Sequence, residues 1–186
     1  QVVILINESS LSSDSTLRFW ESIPISETSL ARNFIEAGIP VVGRVSIRYS
    51  IPEETVMSAV KGNVSAAVNV GLKAGADIVI VGNATSTPIG EERTQGPQPV
   101  RVAISVKAVS SHHSTLVAAK SDFATASGNE ILAGELEAFH RAGKKLTEFL
   151  IPAIQKHWER GAEKKEVKQS APAPKTEPAP LPMGDL

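Results

Sequence analysis

Four histidines are the only imidazoles in a chain of 186 residues that has no cysteine, so a metal or acid–base centre using nitrogen or sulfur would be built on them. His112 and His113 are adjacent, and no Asp or Glu lies within eight residues of the pair along the chain. Neighbouring side chains on an extended backbone diverge, so the pair reads as an exposed turn rather than two ligands of one ion. His140 and His157 fall in a helical pattern beside charged neighbours, which suits surface positions. Glu53-Glu54 and Glu91-Glu92 are paired carboxylates. The first pair suits the positive end of a helix and the second a polar loop. Residues 82–90, GNATSTPIG, follow an apolar run but lack the Gly-Lys-Ser/Thr ending of a phosphate loop. No serine sits between glycines at a strand-to-helix turn, the setting of a hydrolase nucleophile. The sequence nominates no catalytic residue, no cofactor-binding residue and no metal ligand, and the expectation is a protein that is not an enzyme.

The composition points the same way. Nineteen basic and twenty acidic residues leave a net charge of -1, which argues against a chain that grips nucleic acid by neutralising phosphates. The one dense basic cluster, Lys164, Lys165 and Lys168, is interleaved with Glu163 and Glu166. Apolar residues make up 41% but aromatics only 4%, so the core is expected to be Val, Ile, Leu and Ala. The longest apolar runs, Val2 to Ile6 and Ile78 to Val81, fall well short of the roughly 20 residues of a membrane helix. No transmembrane segment is expected. Gln1 leads straight into an apolar run, as in a mature or trimmed chain that has lost a signal peptide or an upstream domain.

Such surfaces would be carried on an alternating set of elements. Val2 to Ile6 is five apolar residues, the length of a buried strand. Glu8 to Ile25 is serine-rich and aperiodic, a long connection pinned by Leu17, Phe19, Trp20 and Ile23. Ser26 caps a helix whose apolar face is Leu30, Phe34 and Ile35, ending at Gly38. Val41 to Val45, extending toward Tyr49, reads as a second strand. Ser50 and Glu53 form a capping box for a helix broken at Gly62-Asn63 and resumed, alanine-rich, to Gly75. Asp77 to Val81 is a third strand, followed by a long polar segment from Asn83 to Pro99. Val100, Val102, Ile104 and Val106 alternate with polar residues, and Leu116 to Ala126 answers them across a short turn as an antiparallel hairpin. Ser127 and Glu130 form a second capping box, opening the longest helix, with Leu132, Leu136, Phe139, Leu146, Leu150 and Ile154 as its stripe and Pro152 as an interruption. From Gly161 the chain turns Lys/Glu-rich and then Pro/Ala-rich.

Three phrases carry a resemblance: ETSLARNFIEAGIPVVGR, ETVMSAVKGNVSAAVNVGLKAGADIVIVGNA and VRVAISVKAVSSHHSTLVAAKS. They are similar to a small α/β domain shared by the middle part of flagellar assembly protein T, the curli secretion lipoprotein, the amino-terminal domain of TolB and the lipoprotein activators of penicillin-binding proteins. The likeness covers roughly Val2 to Trp158. It departs at the hairpin turn, where SSHHST replaces a Thr-Gly pair, and at the polar insert.

The resulting expectation is an α/β (α+β) domain over residues 1–160, a mixed sheet of about five strands in the order β-α-β-α-β-β-β-α, with a Pro/Ala-rich tail at 161–186. The resemblance implies a non-enzymatic, lipoprotein-like structural or assembly domain of a cell-envelope machine, flagellar or outer-membrane associated. It would be periplasmic, secreted or outer-membrane associated, act through protein partners or as a homo-oligomer, and use neither cofactor nor nucleic acid. The alternative is a module binding a small ligand or a peptidoglycan fragment in the crevice near Asn7, Arg44 and Asn83. The protein-contact candidates are Phe19 and Trp20 in the first connection, Glu91, Glu92 and Arg93 in the polar segment, and Trp158 before the tail.

Overall fold

Val2 to Ile6 is buried throughout, as a strand covered on both faces must be. In the computed structural model, which describes residues 1–12, 18–90 and 96–170 and the side chains as far as residue 162, that strand is β1 (Val2–Ser9). It is followed by α1 (Ile25–Glu36), β2 (Val41–Val42), α2 (Arg44–Ile47), α3 (Glu53–Val60) and α4 (Val64–Ala74). Then come β3 (Ile78–Pro88), β4 (Gln98–Ser110), β5 (Thr115–Gly128) and α5 (Ile131–Ser170). The sheet has the order β2-β1-β3-β4-β5. β1 runs parallel to β2 and β3, and the β3–β4 and β4–β5 pairs are antiparallel.

The strand period of two sends side chains to two separate cores. On one face Val2, Ile4, Ile6, Ile78, Ile80 and the alternating Val100, Val102, Ile104 and Val106 pack against Leu30 and Phe34 of α1 and Phe139, Leu146 and Leu150 of α5. On the other face Val3, Leu5, Val79 and Val81 meet Val56 and Val60 of α3 and Ala67 and Val70 of α4. Gly71 lets α4 lie against the sheet, since a Cβ there would stand 1.9 Å from the Ser111 hydroxyl and 2.6 Å from a Val79 methyl. Asn63 caps α4 by accepting from the Ala66 N–H, and Gly75, at φ 65°, ends it in the left-handed conformation.

The expected order of elements is present, with corrections. β2 stops after two residues because the chain coils into α2 at Arg44, so Val45 and Tyr49 are helix and loop residues facing solvent. Ser26 does not cap α1. Pro24 is the cap residue, and the carboxylate of distant Glu8 accepts the Ile25 and Ser26 N–H groups at 3.2 and 2.7 Å. Ile35 is exposed rather than part of the buried face. Pro52, not Ser50, precedes α3, with no side-chain cap. Ser127 belongs to β5 rather than to a capping box. Both ends of the polar segment from Asn83 to Pro99 are strand, because β3 continues to Pro88 and β4 starts at Gln98. α5 continues through Pro152 and past Gly161 to Ser170, so residues 161–170 are helical rather than extended. Residues 171–186, the Pro/Ala-rich part of the tail, lie outside the described residues, as do Leu17 and the contact candidates Glu91, Glu92 and Arg93.

Candidate protein-contact site

Because β2 pairs only with Val2 and Val3, the edge of β1 beyond them has no strand beside it. Buried peptide groups need partners, and at Ile6 two side chains supply them. The Ile6 N–H donates to Glu27 Oε2 at 3.1 Å, and Arg44 Nη2 donates to the Ile6 carbonyl at 3.0 Å. The same Arg44 nitrogen bonds Glu27 at 2.6 Å, so a buried ion pair takes the place of a strand. The other guanidinium nitrogen donates to the Phe19 carbonyl and, at 3.3 Å, to the Ser22 carbonyl and hydroxyl. The guanidinium carbon stands 4.0 Å from the Phe19 ring centre. Burial pushes the Glu27 carboxyl above its ordinary value, with Arg44 and the Ile6 N–H pulling the other way.

The beginning of the same connection is held from the opposite side by a fully buried carboxylate. Glu135, in the first turns of α5, accepts from the Leu11 N–H at 2.7 Å, from the Ser12 N–H at 3.1 Å, and from the hydroxyls of Ser12 and Ser86. No cation is among these partners; four donors satisfy the charge. Glu8, Glu27, Glu135 and Arg44 together fix both described ends of the β1–α1 connection.

Phe19 is buried and meets half-buried Trp20 edge to face, ring centres 5.2 Å apart. Both therefore anchor the connection as expected, while Ile23, read as a third anchor, is 86% exposed. Tyr49 is also 86% exposed and Val45 72%. Along the chain these three apolar residues border those of the Arg44 network, Ile23 next to Ser22, and Val45 and Tyr49 on and just after α2. Arg44, expected to face a ligand crevice, is instead consumed by the protein's own groups.

Trp158 lies far along α5, half-buried against the α1–α5 core. It borders a cavity of about 230 Å³ with Asp77, Ser110, His112, His113 and His157. The fold brings together residues that are remote in sequence here: His112 Nε2 stands 3.3 Å from Asp77, and the His113 and His157 rings meet edge to face at 5.7 Å. Among the described residues no three His, Asp or Glu side chains are grouped to hold a metal ion. Phe19 and Trp20 thus belong to one region and Trp158 to another.

The structural roles of two residues escaped the sequence reading. Arg44 was hidden inside an apparent strand. Glu135 was passed over for Leu132 and Leu136, which are exposed. A signal for Glu135 existed: it lies four residues before Phe139 and three before Ala138, in phase with the buried positions Ala142, Leu146 and Leu150.

The hypothetical protein CT253 from Chlamydia trachomatis is similar over 80% of this chain and 94% of its own, at 9% identity and a TM-score of 0.53. Lipoprotein GNA1162 from Neisseria meningitidis is similar over 83% of this chain and 97% of its own, at 14% identity and a TM-score of 0.46. The LpoB C-terminal domain from Salmonella enterica is similar over 66% and 80%, at 12% identity and a TM-score of 0.35. At 9% identity the likeness to CT253 speaks to fold alone, and none of the three is named as a flagellar protein. No family model matches the chain, and no curated protein matches it.

Proposed function

We propose that this chain is a non-enzymatic domain of the bacterial cell envelope that binds another protein through the β1–α1 connection and α2. The observation that carries this reading is the pairing of a rigid support with exposed apolar groups. Ile23, Val45 and Tyr49 stand out from a segment fixed by a buried ion pair. Large apolar side chains on an already ordered surface lose little entropy on docking, which favours a contact site over a merely solvated loop. Trp20 adds an aromatic at the same place. The envelope placement rests on the likeness of the three sequence phrases to envelope domains. A structural role within a periplasmic or outer-membrane assembly, with other proteins or further copies of the chain, follows from it.

Site-specific photocrosslinkers at positions 23 and 49 test the proposal in cells carrying the full protein. A discrete adduct formed from both positions, and lost when the companion position is changed to Asp, is the expected result. Absence of an adduct from either position, with one formed equally well from Lys73 on α4, would overturn it.

A further inference from the structure

The helices cover only part of one sheet face. α3 and α4 lie over β1 and β3, while β4 and β5 on that side carry Arg101, Ala103, Ser105, Lys107, Ala119, Ser121, Phe123 and Thr125, all exposed. A helix is about 10 Å across, so the layer ends in a step, and a cleft of about 390 Å³ runs along its foot. One wall is the α3–α4 break, with Val60, Lys61 and Gly62, and the floor includes Asn83, Ser105, Lys107 and Ser121.

The donors in this cleft have one sign. Among the described residues neither Lys61 nor Lys107 has a carboxylate at ion-pair distance, and no Asp or Glu lines the cleft, although the chain as a whole carries -1. Lys120 also borders it, but its amine is turned to the opposite face, 3.6 Å from Asp122 and over the Phe149 ring. The Lys107 amine is held close to the step, since a Cβ on Gly62, at φ 104°, would come 3.2 Å from it. On the floor the Ser105 and Ser121 hydroxyls bond each other at 2.7 Å, and Asn83 presents its carboxamide to solvent. Lys107 brings an ammonium group to the cleft, Lys61 lines it, Ser105, Ser121 and Asn83 add two hydroxyls and an amide, and no arginine borders it. Lysine holds phosphoryl oxygens as a point charge, and hydroxyl and amide donors complete such a site.

We infer that the cleft between the α3–α4 break and the β4–β5 face is a binding site for a phosphoryl group, held by Lys61 and Lys107 over Asn83, Ser105 and Ser121. Its lining shares no residue with the protein-contact surface proposed above, and it does not depend on that reading.

Titration of the isotope-labelled chain with inorganic phosphate, followed by amide NMR at constant ionic strength, tests the site. The expected result is shifts concentrated at residues 61–63, 83, 105–107 and 119–121. Lys61→Gln with Lys107→Gln should weaken binding about tenfold, and Lys73→Gln, which removes one positive charge on α4, less than about twofold. Vesicles of phosphatidylglycerol, with phosphatidylcholine as control, form the second arm. Binding that requires Lys61 and Lys107 there places the phosphoryl group on a lipid, while a response to phosphate alone places it on a soluble ester. Shifts spread over all exposed lysines, an unchanged double variant, or an equal response to acetate or poly-glutamate would overturn the assignment.

Discussion

A carboxylate buried without a cation is expensive unless its oxygens are filled, and Glu135 meets that condition with two backbone N–H groups and two hydroxyls. Glu135→Ala should cost about 3 kcal/mol, because it leaves buried donors unsatisfied at the start of the connection, and denaturant unfolding will measure it. The Arg44–Glu27 pair obeys a different rule. Burial raises the Glu27 pKa, so the favourable contribution of this one group is complete below the ordinary carboxyl value near 4.3 and is lost as pH climbs through the raised folded value. The pair's purpose is thus to serve the Ile6 peptide and the Phe19 and Ser22 carbonyls rather than to gain energy from its own attraction. Arg44→Met should cost about 3–5 kcal/mol alone by stranding Glu27, and adding Glu27→Leu should recover part of it. A double-mutant cycle in urea in which the two losses simply add would contradict the coupling. Neither residue was legible in its role, since a charged residue in an apolar pattern gives no sign of which distant peptide group it will satisfy.

At the scale of elements, β5 is a long edge strand, the kind of surface that invites pairing with another chain. Three of its backbone groups are already engaged. Arg141 donates to the Thr125 carbonyl at 3.3 Å, Lys145 to the Phe123 carbonyl at 3.2 Å, and the Phe123 N–H donates to Asp122 at 2.8 Å. Replacing both Arg141 and Lys145 with Ala should leave the fold intact and promote concentration-dependent association, visible by sedimentation velocity. α4 makes the opposite demand, for closeness. Gly71→Ala would drive a methyl into Ser111 and Val79 and should cost about 1–3 kcal/mol in thermal unfolding. The far part of α5 should respond to pH. Burial, and then the charges of His113 and Arg160, hold His157 below the ordinary imidazole value, and Asp77 with His112 stands in the same cavity. The docked arrangement is therefore fully favoured above about pH 6.5 and weakens as pH falls toward the depressed value. Amide exchange around residues 155–160, corrected for intrinsic rates, should accelerate between pH 7.5 and 5.5, and His157→Gln should remove that step.

At the scale of the whole molecule, one sheet divides two cores, and its uneven helical cover leaves the two surfaces proposed as sites. If the β1–α1 connection and α2 join the chain to further copies of itself, Ile23→Asp with Tyr49→Asp should reduce the native mass measured by light scattering to that of a monomer. The amino-acid order by itself determined the succession of elements, the buried β1, the alternating hairpin, the break at Gly62-Asn63 and the stop at Gly75. These depend on periodicity and backbone chemistry within a few residues. The absence of cysteine and the balanced charge were equally plain. Tertiary structure alone decided that β2 would be two residues long, that Glu8 would cap α1, that α5 would turn Glu135 inward and Leu132 and Leu136 outward, and that Lys61 would come to border the same cleft as Lys107. Each of these is a contact between segments far apart in the chain, chosen by which peptide groups and faces remained to be satisfied once the sheet had formed.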